Sequence, residues 1–203
     1  MLEWSEINGL VINSSKTQAI VFHAKNKHLD SIRLTVNNEE IVFCREIKLL
    51  GVIFNENLSW NSHTKLLVSK LSIINGIIFR LRGLLPQRVK IMLYYTLFYS
   101  HIYYCLLVYG TWSQNNLNDV RVQQKRIVRS IVNAPRLEHT EPIFADLNIL
   151  KVDKLYDFKL LRSIHQTNRS STLYINLCLP FIICVTQLNL SFLFIGENIL
   201  GSQ

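Results

Sequence analysis

The sequence holds 203 residues, 49% of them hydrophobic and 18% charged, with a formal net charge of +8. That is enough apolar chain for one ordinary domain or two small ones, and it excludes the low-hydrophobicity, high-charge composition of a disordered protein. Every Lys and Arg and all but one of the acids lie before residue 170, so the positive surplus belongs there and favours a polyanionic partner, nucleic acid ahead of an acidic membrane surface.

Met1 leads straight into Leu-Glu-Trp with neither a cap nor a targeting pattern, so the start reads as the middle of a domain. Residues 18–22 (Q-A-I-V-F) are a short β-rich run, and residues 32–36 alternate apolar and polar as a half-buried strand should. Asn37-Asn38 suits a hairpin turn because asparagine tolerates positive φ, with Ile41, Val42 and Phe43 as the second arm. Residues 49–54 are a fourth β-like run, whose Gly51 suggests a bend or a close backbone approach. Together these predict a small antiparallel sheet.

From Asn61 the period becomes helical: Leu67, Leu71, Ile74, Ile78 and Leu81 recur at three- and four-residue spacing. Gly83 lies near the end of this helix and Pro86 can open the next. Residues 86–109 are apolar and tyrosine-rich on most sides, which predicts a helix central to a bundle, its tyrosines read as core rather than as a base-stacking platform. Residues 115–133 form a third helix, stopped by Asn133-Ala134-Pro135, and further helices are expected from Thr140 and over 152–166. The predicted class is α+β: a small antiparallel sheet followed by a helical bundle.

The four cysteines form no C-x-x-C pair and follow no secretory signal, so they read as reduced, mostly core-filling residues of an intracellular protein, nuclear or cytoplasmic. The histidines are scattered without Cys or acidic partners at ligand spacing, and no metal site is expected. Residues 173–195 are uncharged over a length that could span a bilayer, the one feature favouring a tail-anchored membrane protein. Asn176, Pro180, Gln187 and Asn189 interrupt them and no basic cluster follows, so a membrane span is not the preferred reading.

One charge pattern stands out. At about 100° per residue, Arg121, Lys125 and Arg129 wind along one side of the third helix with Arg126 close by, while Leu117, Val120, Val128 and Ile131 lie on the other. Asp119 is the only acid within that helix, so the stripe is spaced to meet successive phosphates. Lys65, Lys70, Arg80, Arg82, Arg88 and Lys90 scatter around the preceding helices and could track a nucleic-acid backbone.

Three segments in order carry a resemblance. They are W-S-E-I-N-G-L-V-I-N-S-S-K-T-Q-A-I-V-F at 4–22 and K-L-L-G-V-I-F-N-E-N-L-S-W-N-S-H at 48–63, then a group made of 100–112, 122–131 and 138–152. Together they resemble the reverse transcriptases of non-LTR (LINE-type, jockey-like) retrotransposons over residues 1–167. Asn55 stands where that family usually has Asp, and Tyr109 where it has Trp. The resemblance implies that residues 1–60 are the C-terminal edge of a polymerase palm, 61–167 a helical thumb and connector, and 168–203 a divergent uncharged tail.

The resemblance also implies roles. Asn13, Lys16 and Thr17 match an N-x-x-K-T element whose lysine approaches the leaving pyrophosphate, and Leu50, Gly51 and Val52 match a primer-grip turn. The parent activity would be RNA-directed DNA synthesis with Mg²⁺ held by an aspartate pair. No Asp-Asp occurs in the sequence and the first Asp is Asp30. The expectation is therefore a truncated polymerase, inactive alone and without a cofactor of its own, that binds RNA–DNA or DNA duplex non-specifically. The alternative is a basic, non-catalytic nucleic-acid-binding domain. A palm edge cut from its sheet should leave residues 18–22 or 49–54 unpaired along one side, inviting self-association.

Overall fold

The computed structural model of the chain describes residues 7–9, 13, 17–24, 33–36, 39–167 and 192–197. The chain divides into two compact units, Met1–Ser59 with Asn189–Gln203, and Trp60–Leu188. The mixed α+β class holds. Most of the tail at 168–203, including the uncharged stretch up to residue 191, lies outside the described residues, as does Lys16.

The first unit contains β1 (Thr17–Phe22), β2 (Thr35–Val36), β3 (Glu39–Glu40), β4 (Glu46–Leu49), β5 (Val52–Asn55) and β6 (Phe192–Glu197), joined as the antiparallel pairs β1–β6, β2–β3 and β4–β5. In the β2–β3 hairpin Val36 stands opposite Glu39 and Thr35 opposite Glu40; the turn expected at Asn37-Asn38 lies outside the described residues. The second arm is not Ile41–Phe43. Ile41 N–H still donates to the Leu34 carbonyl at 2.8 Å, but Phe43 bridges in parallel to Ala19. Ala19 and Ile41 are buried there, with Leu34 and Phe43 packed against them.

Two expectations are corrected here. β1 is not left open along one side: β6 pairs with it from Thr17↔Glu197 to Phe22↔Phe192. On its other side Ala19 N–H donates to Val42 O at 3.3 Å and Cys44 N–H to Ala19 O at 2.8 Å. Residues 49–54 are not one strand either. They hold the tip of the β4–β5 hairpin, with Leu49 opposite Val52 and the chain reversing at Leu50-Gly51. Ile47, Val52 and Phe54 are buried and alternate with more exposed neighbours, as a one-sided hairpin requires.

The second unit contains α1 (Asn61–Leu81), α2 (Gln87–Leu93), a π-helical segment (Tyr94–Tyr99), α3 (Ser100–Tyr103), α4 (Leu106–Tyr109), α5 (Gln114–Ile131), α6 (Thr140–Asp146) and α7 (Val152–Thr167). α1 buries Leu67, Leu71, Ile74 and Ile78, the stripe its spacing predicts, and its main partner is α5. α5 starts at Ser113, whose hydroxyl accepts the Asn116 N–H, and it ends at Asn133, where φ is 59° and the Ala134 N–H reaches back to the Arg129 carbonyl. Residues 86–109 are not one helix. Tyr104 is extended and Cys105 is left-handed at φ 49°, which breaks the run without a glycine or proline to announce it. No described helix is long and apolar enough to cross a membrane.

Candidate nucleic-acid interface

In the first unit, the N-x-x-K-T element closes on itself: the Thr17 hydroxyl donates to the Asn13 carbonyl at 2.8 Å, and Thr17 is buried at the start of β1. The hairpin tip carries the sharper signal. Leu50 has φ 47° and Gly51 φ 83°, the double positive φ of the tightest right-twisting hairpin turns. Glycine accepts this freely, but a leucine there costs roughly 1–2 kcal/mol, and Leu50 is also 80% exposed. A backbone held in that form with an apolar side chain outside is the kind of local violation that accompanies function. Val52, next in line, is buried.

Asn55 sets up the chain that follows. Its Oδ1 accepts the Ser59 N–H at 2.8 Å and its Nδ2 donates to the Ser59 hydroxyl, while its carbonyl accepts the Leu58 N–H at 3.0 Å. An aspartate at this position would accept the Ser59 N–H equally well and could take the Ser59 hydroxyl as a donor in place of the amide bond.

In the second unit the motif residues turn out to be packing devices. His63 is buried and its ring lies 4.5 Å from that of Tyr109, whose hydroxyl donates to the Ile102 carbonyl and whose ring meets Trp112 at 5.3 Å. Burial, then the ammonium of Lys70, lowers the His63 pKa from 6.5 to about 4, so the imidazole is neutral at physiological pH. A Cβ on Gly110 would collide with the Tyr156 ring and the Leu106 carbonyl, so this glycine serves close approach of α7 rather than a special φ.

Gln124 is fully buried. Its Nδ-equivalent amide, Nε2, donates to the Tyr94 hydroxyl at 3.0 Å and the Leu150 carbonyl at 2.8 Å, and its Oε1 accepts the Val152 N–H at 2.8 Å. Asn75 of α1 donates to both the carbonyl and the side-chain oxygen of Gln123. Charge patterning overlooked these two glutamines, although their place on the apolar side of the α5 wheel was a signal.

The cationic stripe of α5 is only partly as the sequence suggested. Arg121 is half-buried and engaged: its Nε donates to Asp153 at 2.9 and 3.2 Å and its Nη2 lies 2.8 Å from the same carboxylate, with Asn118 on Nη1. Its partner comes from α7, so the scarcity of acids within α5 was misleading. Arg129 donates Nε to the Glu138 carbonyl at 2.8 Å, which leaves its other guanidinium N–H groups. Lys125 lies near Glu141, whose carboxyl is held below the usual range, first by its hydrogen bond to Lys151 and also by Lys125. Arg126 is exposed, and among the described residues no carboxylate pairs with it.

Lys90 is removed from the set of backbone-tracking cations. It is 1% exposed, and its Nζ donates to Arg82 O at 3.1 Å, Ser130 O at 3.5 Å and Asn133 Oδ1 at 2.9 Å. An ammonium among oxygens at the C-terminal ends of α1 and α5 complements both helix dipoles. Burial, then Arg82, pulls its pKa down.

Two curated proteins match residues of this chain. Both are named RNA-directed DNA polymerase from mobile element jockey: one of Drosophila funebris, 28% identical over 158 residues, and one of Drosophila melanogaster, 26% identical over 158 residues. Most of this chain is similar to a part of the jockey RNA-directed DNA polymerases. The resemblance to non-LTR retrotransposon reverse transcriptases therefore holds, over 75% of the chain. The match spans only 17% of the length of each jockey polymerase. No family model matches the chain, and no solved structure matches it.

Proposed function

We propose that this chain is the non-catalytic, nucleic-acid-holding part of a jockey-type RNA-directed DNA polymerase. The first unit is the outer edge of the palm with a grip hairpin at Leu50, Gly51 and Val52, and residues 61–167 are the thumb and connector. The observation that carries it is a pairing of likeness with a lack. The chain aligns with jockey polymerases over three quarters of its length, yet its 203 residues contain no Asp-Asp pair. Among the described residues no group of three His, Cys, Asp or Glu side chains is placed to hold a metal ion. Without an Asp-Asp pair in its sequence, the chain is read as holding nucleic acid rather than adding nucleotides by itself. Asn13, Lys16 and Thr17 belong to an element whose lysine has no triphosphate to protonate without that pair.

What remains is holding a duplex. Lys125, Arg126 and Arg129 supply the phosphate contacts; Arg121 is structural, through Asp153. Salt-dependent anisotropy with a labelled RNA–DNA duplex tests both statements. Replacing Lys125, Arg126 and Arg129 together by Gln should reduce the slope of log affinity against log salt by about two to three, since each lost contact removes about 0.7–0.9. Arg121→Gln should lower stability and leave the slope nearly unchanged. An undiminished slope in the triple variant would refute the interface, and primer extension by the purified chain would refute the non-catalytic reading.

A further inference from the structure

The sequence predicts the tyrosines of residues 94–109 to be core, but the structure sorts them onto two sides. Tyr94, Phe98 and Tyr109 are fully buried, the first two stacked at 5.5 Å. Tyr95, Tyr99 and Tyr103 form a second row facing outward: Tyr95 is 43% exposed, and the other two are half-buried. Their ring centroids are 5.6 Å apart from Tyr95 to Tyr99 and 5.2 Å from Tyr99 to Tyr103.

The backbone explains the alignment. In an α-helix, positions four apart turn through slightly more than a full circle, so a row at this spacing drifts around the axis. Residues 94–99 are π-helical, with a wider turn, so Tyr95 to Tyr99 falls short of a full circle. The α-helical step from Tyr99 to Tyr103 overshoots. The two drifts oppose, which keeps the three rings next to one another along one side.

Two cations among the described residues lie beside the row. Lys159 of α7 donates its Nζ to the Tyr103 carbonyl and sits 4.1 Å over the Tyr103 ring. Arg162, one turn on, is exposed and close enough to Tyr99 to act on its phenol electrostatically. Residues 87–113 contain no Asp or Glu. At about 100° per residue Asp157 falls roughly opposite Lys159 on α7 and Asp153 about 120° from it, and Asp153 is held by Arg121.

We propose that Tyr95, Tyr99 and Tyr103, with Lys159 and Arg162, are a binding site for a single-stranded polynucleotide. Bases stack on Tyr95 and Tyr99 and phosphates meet Arg162, while Tyr103, stacked on Tyr99 and capped by Lys159, closes the row. Aromatic faces accept any base, and cations beside them follow the backbone, so the site reads no sequence. It adds to the duplex interface proposed above a second site, built from different elements, that takes unpaired strand.

The test uses the full chain, a labelled oligouridylate and a labelled RNA–DNA duplex of equal length. Tyr95→Leu and Tyr99→Leu keep apolar volume and helix propensity, and each should weaken oligouridylate binding about 5- to 100-fold. Duplex affinity should change less than twofold. Arg162→Gln should lower the single-strand salt slope by about 0.7. Ultraviolet cross-linking should attach uridine to Tyr95 or Tyr99 peptides. Circular dichroism melts establish that each variant is folded. The proposal is overturned if the parent chain binds duplex but not oligouridylate, or if folded variants bind oligouridylate like the parent. It is also overturned if they lose both ligands equally. Failure of the α5 triple variant to change duplex binding would sink the duplex interface and leave this site standing.

Discussion

His63 sits in the first turn of α1, 7% exposed, with its ring against Tyr109. Its pKa is about 4 in the folded chain and 6.5 when free, because burial and the neighbouring Lys70 oppose the charged form. As pH falls below 6.5 the unfolded chain takes up a proton here, while the folded chain does not until about 4. Through that window the unfolded state binds more protons, so stability falls with pH; below about 4 the loss is complete. The gap between the two values corresponds to about 3 kcal/mol, at about 1.4 kcal/mol per pH unit. Carboxylates titrate over part of the same range, so the parent must be compared with His63→Gln, which keeps a polar side chain but does not titrate. Urea unfolding followed by helical circular dichroism at about pH 7 and about pH 4.5 gives both free energies. The parent should lose about 2–3 kcal/mol more than the variant between the two. Equal losses would show that His63 is protonated in the folded state without penalty, and the argument from its burial would fail.

Gly110→Ala should destabilise the helical unit by about 1–3 kcal/mol or more, measured by the same unfolding curves, because the new methyl meets the Tyr156 ring and the Leu106 carbonyl. An unchanged midpoint would mean that α7 moves aside freely. Leu50→Asn should stabilise the β4–β5 hairpin by about 1 kcal/mol, since asparagine tolerates the left-handed conformation that leucine resists. Slower amide hydrogen exchange in β4 and β5 would register it; faster exchange would show that the Leu50 side chain contributes more than its backbone costs.

Much of the fold was legible because it depends on near neighbours. The three- and four-residue apolar spacing from Leu67 to Leu81 marks α1, and Asn133-Ala134-Pro135 marks the end of α5. The alternation around residues 32–36 and the paired asparagines mark a hairpin, whose second arm was then displaced by two residues. Where turn chemistry was atypical the reading slipped. Leu50-Gly51 lacks the usual Asn-Gly, so a hairpin looked like one strand, and Cys105 breaks a helix with no local breaker.

The candidate site was less legible because partners are chosen across the chain. Arg121 looked free within its own helix, yet Asp153 lies 32 residues further on. Lys90 looked like one of several surface cations, yet Ser130 and Asn133, about 40 residues away, enclose it. The tyrosines of residues 94–109 could not be divided into core and surface until the π-helical turn and α7 set their directions. Sequence by itself determined the element types, the resemblance to jockey polymerases and the excess of positive charge, all set by composition and short-range periodicity. Only the tertiary structure decided which cations are neutralised and which rings face outward, because burial and pairing depend on residues that packing, not chain order, makes neighbours.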